Sequence, residues 1–172
     1  MDRHPSVSGP GSRTAVRRLR AEPPALHLAF EAGAGRHRIW GTALAVPAGL
    51  CVQLLGGDLP HVGAVGVSLP RPGGPRPGGG PPSTSVITLP GHREDELVRP
   101  VAAELARALG RTAVVVAGIH LEAATARDVA ALVRNARRAA RLVLSAVRSA
   151  APGGRRRRPR AAPDHPQREE EA

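Results

Sequence analysis

From Leu26 the chain alternates, with Leu26, Leu28 and Phe30 on one side and His27, Ala29 and Glu31 on the other. A period of two predicts a half-buried strand. GAG at 33–35 interrupts it as a turn. RHRIWGTALAV (36–46) resumes the pattern, with Arg36, Arg38 and Trp40 on one face and His37, Ile39 and Gly41 on the other, before turning apolar. After PAG (47–49), LCVQLLGG and HVGAVGVSLP give two more strands, separated by GGDLP. Strands joined by such short turns predict an antiparallel meander. RPGGPRPGGGPPS (71–83) has no side chains to bury and reads as a surface insertion, after which the sheet resumes over Ser85–Leu89.

The period then lengthens. In GHREDELVRPVAAELARALG, Leu97, Val101, Leu105 and Ala108 or Leu109 recur at helical spacing. Pro100 suits the first position of a helix, so the regular part is expected to start there, with Gly110 as its C-terminal cap. RTAVVVAG is a continuous apolar run, which predicts a central strand covered on both faces. Thr125 and Asp128 resemble a capping box at the head of a long helix striped by Val129, Leu132, Val133, Ala136, Ala140, Val143, Leu144 and Val147.

The expected fold is α+β: an antiparallel meander followed by two helices packed on the sheet, with one central apolar strand between them. The expected domain is 23–150, with 70–84 as a Pro/Gly surface loop. A basic tail (1–22) and a charged tail (151–172) are expected to be disordered.

Composition narrows the functional classes. The formal charge is +11, and nearly half of it lies on the two ends, where it can touch nucleic acid or membrane without defining the core's role. Phe30 and Trp40 are the only aromatic residues, which disfavours binding by base stacking. The single cysteine, Cys51, cannot form an internal disulfide, and it is expected to be a small core hydrophobe in a cytoplasmic protein. No stretch approaches ~18 continuous apolar residues, so no membrane span is expected.

The candidate chemistry lies at three histidines, each flanked by Gly or Pro and each near a strand end. GGDLPHVG holds Gly56, Gly57, Pro60, His61 and Gly63. It reads either as a ligand loop or as a glycine-rich hairpin with an exposed histidine. LPGHRED places His92 and Arg93 at a helix start, where free N–H groups favour anions; the dipole alone accounts for Glu94, Asp95 and Glu96. AGIH places Gly118, Ile119 and His120 where the apolar strand ends. Three histidines with Asp95 or Glu94 could form a zinc site, but the spacing contains neither H-x-x-x-H nor C-x-x-C, and no metal is expected. Ser68, Ser83 and Ser85 lie outside any nucleophile elbow, and neither a Walker A loop nor GxGxxG is present. Binding is favoured over catalysis.

In combination, G-G-x-x-P-H-x-G, H-R-E-D and A-G-I-H resemble the LpdD-like prenylated-flavin chaperones, over residues 26–149. Related sequences resemble proteasome assembly chaperones in fold. The resemblance implies a non-catalytic homodimer. It would hold prenylated FMN, made by a flavin prenyltransferase, and deliver it to a UbiD-type decarboxylase of hydroxyarylic acids. The matching positions are Gly56, Gly57, Pro60, His61, Gly63, His92, Arg93, Glu94, Asp95, Gly118, Ile119 and His120. The alternatives are an assembly chaperone without a small ligand, or a metal-dependent hydrolase using the same histidines.

Overall fold

The structure is a computed structural model that describes residues 13–19, 24–71 and 80–150. It contains seven strands: β1 (Arg13–Leu19), β2 (Leu26–Gly33), β3 (Ile39–Val46), β4 (Gly49–Gly57), β5 (Ala64–Leu69), β6 (Ser83–Thr88) and β7 (Thr112–His120). Two helices, α1 (Asp95–Leu109) and α2 (Ala126–Ala150), flank β7 in sequence. The sheet order is β1-β2-β3-β4-β7-β5-β6. Every pairing is antiparallel except β4 with β7.

The meander therefore holds from β1 to β4 and then breaks. β7 separates β4 from β5 and pairs with β4 in parallel, from Gly49↔Thr112 to Gly57↔His120. This corrects the expected succession of β4 and β5 as neighbours. A strand that must bond on both edges excludes the direct β4–β5 pairing. The six residues Asp58–Gly63 must instead cross the end of β7, a gap of two strand spacings, about 10 Å.

Both helices pack on one face of the sheet, α1 on β5, β6 and β7 and α2 on β1, β2 and β3. The core lies between, built from residues of matching parity: Leu28 and Phe30 of β2, Ile39 and Ala43 of β3, Val52 and Leu54 of β4, and Val115 and Ala117 of β7. They meet Val98, Val101 and Leu105 of α1 and Leu132, Ala136 and Val143 of α2.

Among the described residues, nothing covers the opposite face of the sheet. Trp40, Leu44 and Val46 on β3, Leu69 on β5 and Ile87 on β6 are exposed there, Ile87 to 72%. β7 is not covered on both faces as expected: Ala113, Val115 and Ala117 are buried, while Val114 and Val116 are only half-buried. Its unbroken apolar run reflects two apolar faces, only one of which a helix covers. Cys51 lies on the same open face and is exposed, because Leu50 and Val52 take the inward positions of β4. Partial burial nevertheless pushes its thiol pKa up.

Three local expectations also change. Residues 36–38 do not belong to a strand, since Gly35–His37 is a short 3-10 turn before β3. Arg13–Leu19, expected as tail, pairs as a full strand with β2, where Val16 opposite Phe30 packs partly against the core. α1 begins at Asp95, not Pro100, because Leu97 and Val98 are buried and draw the first turn onto the sheet. Pro100 then sits inside the helix and leaves the Glu96 carbonyl without its usual N–H donor. Gly110 caps the helix at φ 63°. The remainder of both tails and residues 72–79 lie outside the described residues. Among the described residues, no helix is long and apolar enough to cross a membrane.

The head of α2 is a reciprocal capping box. The Thr125 hydroxyl and N–H both donate to Asp128 Oδ2, at 2.6 and 2.9 Å, and Asp128 N–H donates back to the Thr125 hydroxyl at 3.2 Å. His37 Nε2 meets Asp128 Oδ1 at 2.6 Å. The Thr125 hydroxyl, then His37 and the Thr125 N–H, with Arg36 adding a smaller attraction, hold the Asp128 carboxyl far below the usual carboxylate range. A depressed folded-state pKa gives stability that is present above the unfolded value, about 3.9, and is lost as pH falls toward the folded value. Asp128→Asn is therefore expected to lower the melting temperature at pH 7, and the gap to wild type should close as pH falls below about 4. Thermal scans across pH 2.5–7 check this; a gap independent of pH would assign the effect to shape rather than charge.

Candidate functional site

The site lies at the carboxyl ends of the parallel pair β4 and β7, where the crossing loop, the turn before α1 and the end of β7 converge. The loop is fastened by backbone bonds. Asp58 N–H donates to the His120 carbonyl at 2.7 Å, Gly63 N–H to the Ala117 carbonyl at 2.9 Å, and Leu89 N–H to the Gly63 carbonyl at 2.9 Å. The Asp58 carboxylate accepts from Glu122 N–H at 3.0 Å, which ties the loop to the chain beyond β7. Two glycines make the crossing possible. A Cβ on Gly118 would overlap the His61 carbonyl, and one on Gly63 would lie 2.5 Å from the Glu94 carboxylate.

The loop thus lays His61 beside the turn that carries His92. Their rings stack obliquely, with centroids 4.5 Å apart. His61 Nδ1 lies 3.0 Å from the Leu59 carbonyl, which can only accept, so Nδ1 carries a proton. His61 Nε2 then faces His92 Nδ1 at 2.9 Å and Glu94 Oε1 at 3.1 Å, and His92 Nδ1 lies 3.6 Å from Glu94 Oε2. Glu94 is itself pinned: Ile119 N–H donates to Oε1 and Arg93 N–H to Oε2, both at 3.1 Å. Its side chain is only 10% exposed. Two imidazole nitrogens and a carboxylate converge on one point.

The remaining sequence candidates divide. Ile119 contributes its backbone N–H. Gly56 and Gly57 end β4 beside Ile119 and His120. Pro60 is exposed on the loop. His120 stands apart, its ring 6.5 Å from that of His61 and its Nε2 3.4 Å from Glu122. Arg93 reaches outward to Glu96 at 3.2 Å. Asp95 opens α1, and among the described residues no hydrogen bond or ion pair joins it to the histidines. Of the acids at 94–96, Glu94 alone turns inward, because the Ile119 and Arg93 N–H groups claim its two oxygens.

Beside the cluster lies a cavity of about 440 Å³, within the usual range of small-molecule sites, roughly 300–1,000 Å³. Its rim is polar: His92, Arg93, Glu94 and His120. Its walls are aliphatic: Leu97 of α1, Leu121, and Val129, Leu132 and Val133 of α2. Sequence reading assigned those α2 valines to the core stripe. The half-exposed Val129 shows that this stripe overruns the core.

The family model for the prenylated flavin chaperone LpdD-like domain matches residues 33–148. Among solved structures, a chain from a chaperone complex for yeast 20S proteasome assembly aligns with 13% identity and a TM-score of 0.43, over 80% of this chain and 96% of that one. No curated protein matches the chain.

Proposed function

The chain belongs to the prenylated flavin chaperone LpdD-like family, and from that premise we propose that it is a carrier of prenylated FMN. It would take the cofactor from a flavin prenyltransferase and deliver it to a UbiD-type decarboxylase in the cytoplasm, without catalysing a reaction itself.

The observation that carries this reading is the aliphatic cavity with a polar rim. An isoalloxazine ring is flat and apolar on its faces and polar at one edge. Leu97, Val129, Leu132 and Val133 offer the apolar contact that absent aromatic residues would otherwise supply. His92 and His120, on the rim, offer hydrogen bonds to ring, ribityl or phosphate oxygens, and His61, outside the cavity lining, braces His92. Arg93 is the rim cation suited to the phosphate. The first turn of α1 adds its positive dipole end, whereas the head of α2 is already closed by the Thr125–Asp128 box. Gly56, Gly57, Pro60, Gly63, Asp95, Gly118 and Ile119 shape the loop and strand ends that hold these groups.

A carrier must release its cargo, so a rim open to solvent and a moderate affinity suit it better than full enclosure. The same reading includes a homodimer. What supports it is the open sheet face, where Trp40, Leu44, Val46, Leu69 and Ile87 leave apolar side chains in water.

Native mass spectrometry with an absorbance spectrum, on protein co-expressed with a flavin prenyltransferase, tests both parts. The expected result is a dimer carrying prenylated FMN, with the bound mass lost in His61→Ala and His120→Ala. A colourless, ligand-free protein would overturn the carrier reading in favour of an assembly chaperone without a small ligand.

A further inference from the structure

We propose that His61 Nε2, His92 Nδ1 and the Glu94 carboxylate form a binding site for one divalent transition-metal ion of the zinc class.

The argument starts from the protons. His61 Nδ1 spends its hydrogen on the Leu59 carbonyl, so in a neutral ring Nε2 carries a lone pair. That lone pair points at Glu94 Oε1, 3.1 Å away, which already accepts from Ile119 N–H and has only lone pairs left to offer. His92 Nδ1 has the same neighbours, at 2.9 Å from His61 Nε2 and 3.6 Å from Glu94 Oε2. With His92 in the tautomer that leaves Nδ1 unprotonated, three electron-pair donors face one another in a half-buried place, an arrangement that a cation between them stabilises. One shared proton satisfies at most two of the three at a time, whereas a metal ion satisfies all three.

The spacing agrees. Bonds of roughly 2.1 Å separated by 90–109° put ligand atoms roughly 3.0–3.4 Å apart. Two sides of the His61–His92–Glu94 triangle, 2.9 Å between the imidazole nitrogens and 3.1 Å from His61 Nε2 to Glu94 Oε1, fall near that range, and His92 Nδ1 lies 3.6 Å from the other carboxylate oxygen, Oε2, so the carboxylate turns one oxygen toward each histidine. All three ligand atoms lie within 4.8 Å of one another.

The supporting contacts are those a metal site uses. The Leu59 carbonyl fixes the tautomer and tilt of His61, and two backbone N–H groups fix Glu94. The ligands come from two places far apart in the sequence: His61 from the crossing loop, and His92 and Glu94 from the turn between β6 and α1. Two imidazoles disfavour calcium and magnesium, which seek oxygen, and favour zinc or its neighbours. Three protein ligands also leave coordination open. His92 and Glu94 border the cavity, so the open positions lie next to it. There an ion would offset the acids at 94–96, which otherwise oppose any anionic ligand. The ion's presence does not rest on the flavin reading, and the two can fail separately.

The test uses the full chain, free of flavin and stripped with a chelator. Zn²⁺ alone is titrated by calorimetry and Co²⁺ by its visible absorbance, with circular dichroism as the check on folding. One equivalent of Zn²⁺ is expected, weakened at least tenfold in both His92→Ala and Glu94→Gln. Glu96→Gln, on the rim but outside the triangle, should bind like wild type. No stoichiometric binding by the wild-type chain would overturn the proposal and leave the cluster holding only a proton. Equal affinity in His92→Ala and Glu94→Gln would also overturn it, by placing the ion elsewhere.

Discussion

Gly118→Ala is expected to cost about 3 kcal/mol of stability and to abolish ligand binding at the histidine cluster. The added methyl would overlap the carbonyl carbon and oxygen of His61 and lie 3.1 Å from its Cα. These are backbone atoms, so no rotamer change relieves the clash. The loop is also fastened on both sides of the contact, by Gly63 N–H to Ala117 and Asp58 N–H to His120. Loop and strand must therefore part, breaking bonds worth about 1 kcal/mol each and moving His61 away from His92 and Glu94. Urea denaturation together with a binding titration measures both effects. Wild-type stability in this variant would mean that the loop does not cross β7 in contact with it.

Leu54→Ala is expected to cost about 3–5 kcal/mol, the upper part of the range for such truncations. Leu54 is fully buried at the centre of the sheet. Its partners across the sheet are Gly41 on β3 and Ala117 on β7. Flanked by a glycine and an alanine, the leucine fills space that neither neighbour can reach, so a cavity would persist after truncation. Chemical denaturation checks the value; a cost under about 1.5 kcal/mol would show that Phe30, which approaches Gly41, collapses into the gap.

Most of the local structure was legible because it rests on short-range periodicity. Leu28 and Phe30 alternate inward as β2 requires, and Thr125, Asp128 and Gly110 mark helix ends through contacts within a few residues. Failures arose where a local pattern has two tertiary meanings. The apolar run of β7 fits a strand covered on both faces equally well as one with a bare apolar face. Pro100 marks a helix start by propensity, but the burial of Leu97 and Val98 outweighed it. Cys51 looked like core because its neighbours are apolar, and the parity of β4 turned it outward.

The site divides the same way. The sequence alone determined the family, the strand and helix types, and the three histidines at glycine-bearing strand ends, since each depends on residues close together in the chain. Only the tertiary structure decided that β7 enters between β4 and β5, that the loop must therefore cross its end, and that His61 thereby meets His92 and Glu94 while His120 stays outside. Those outcomes depend on which strand wins each hydrogen-bonding edge. That competition is settled between segments some 60 residues apart, Gly49–Gly57 and Thr112–His120, and no local spacing encodes it.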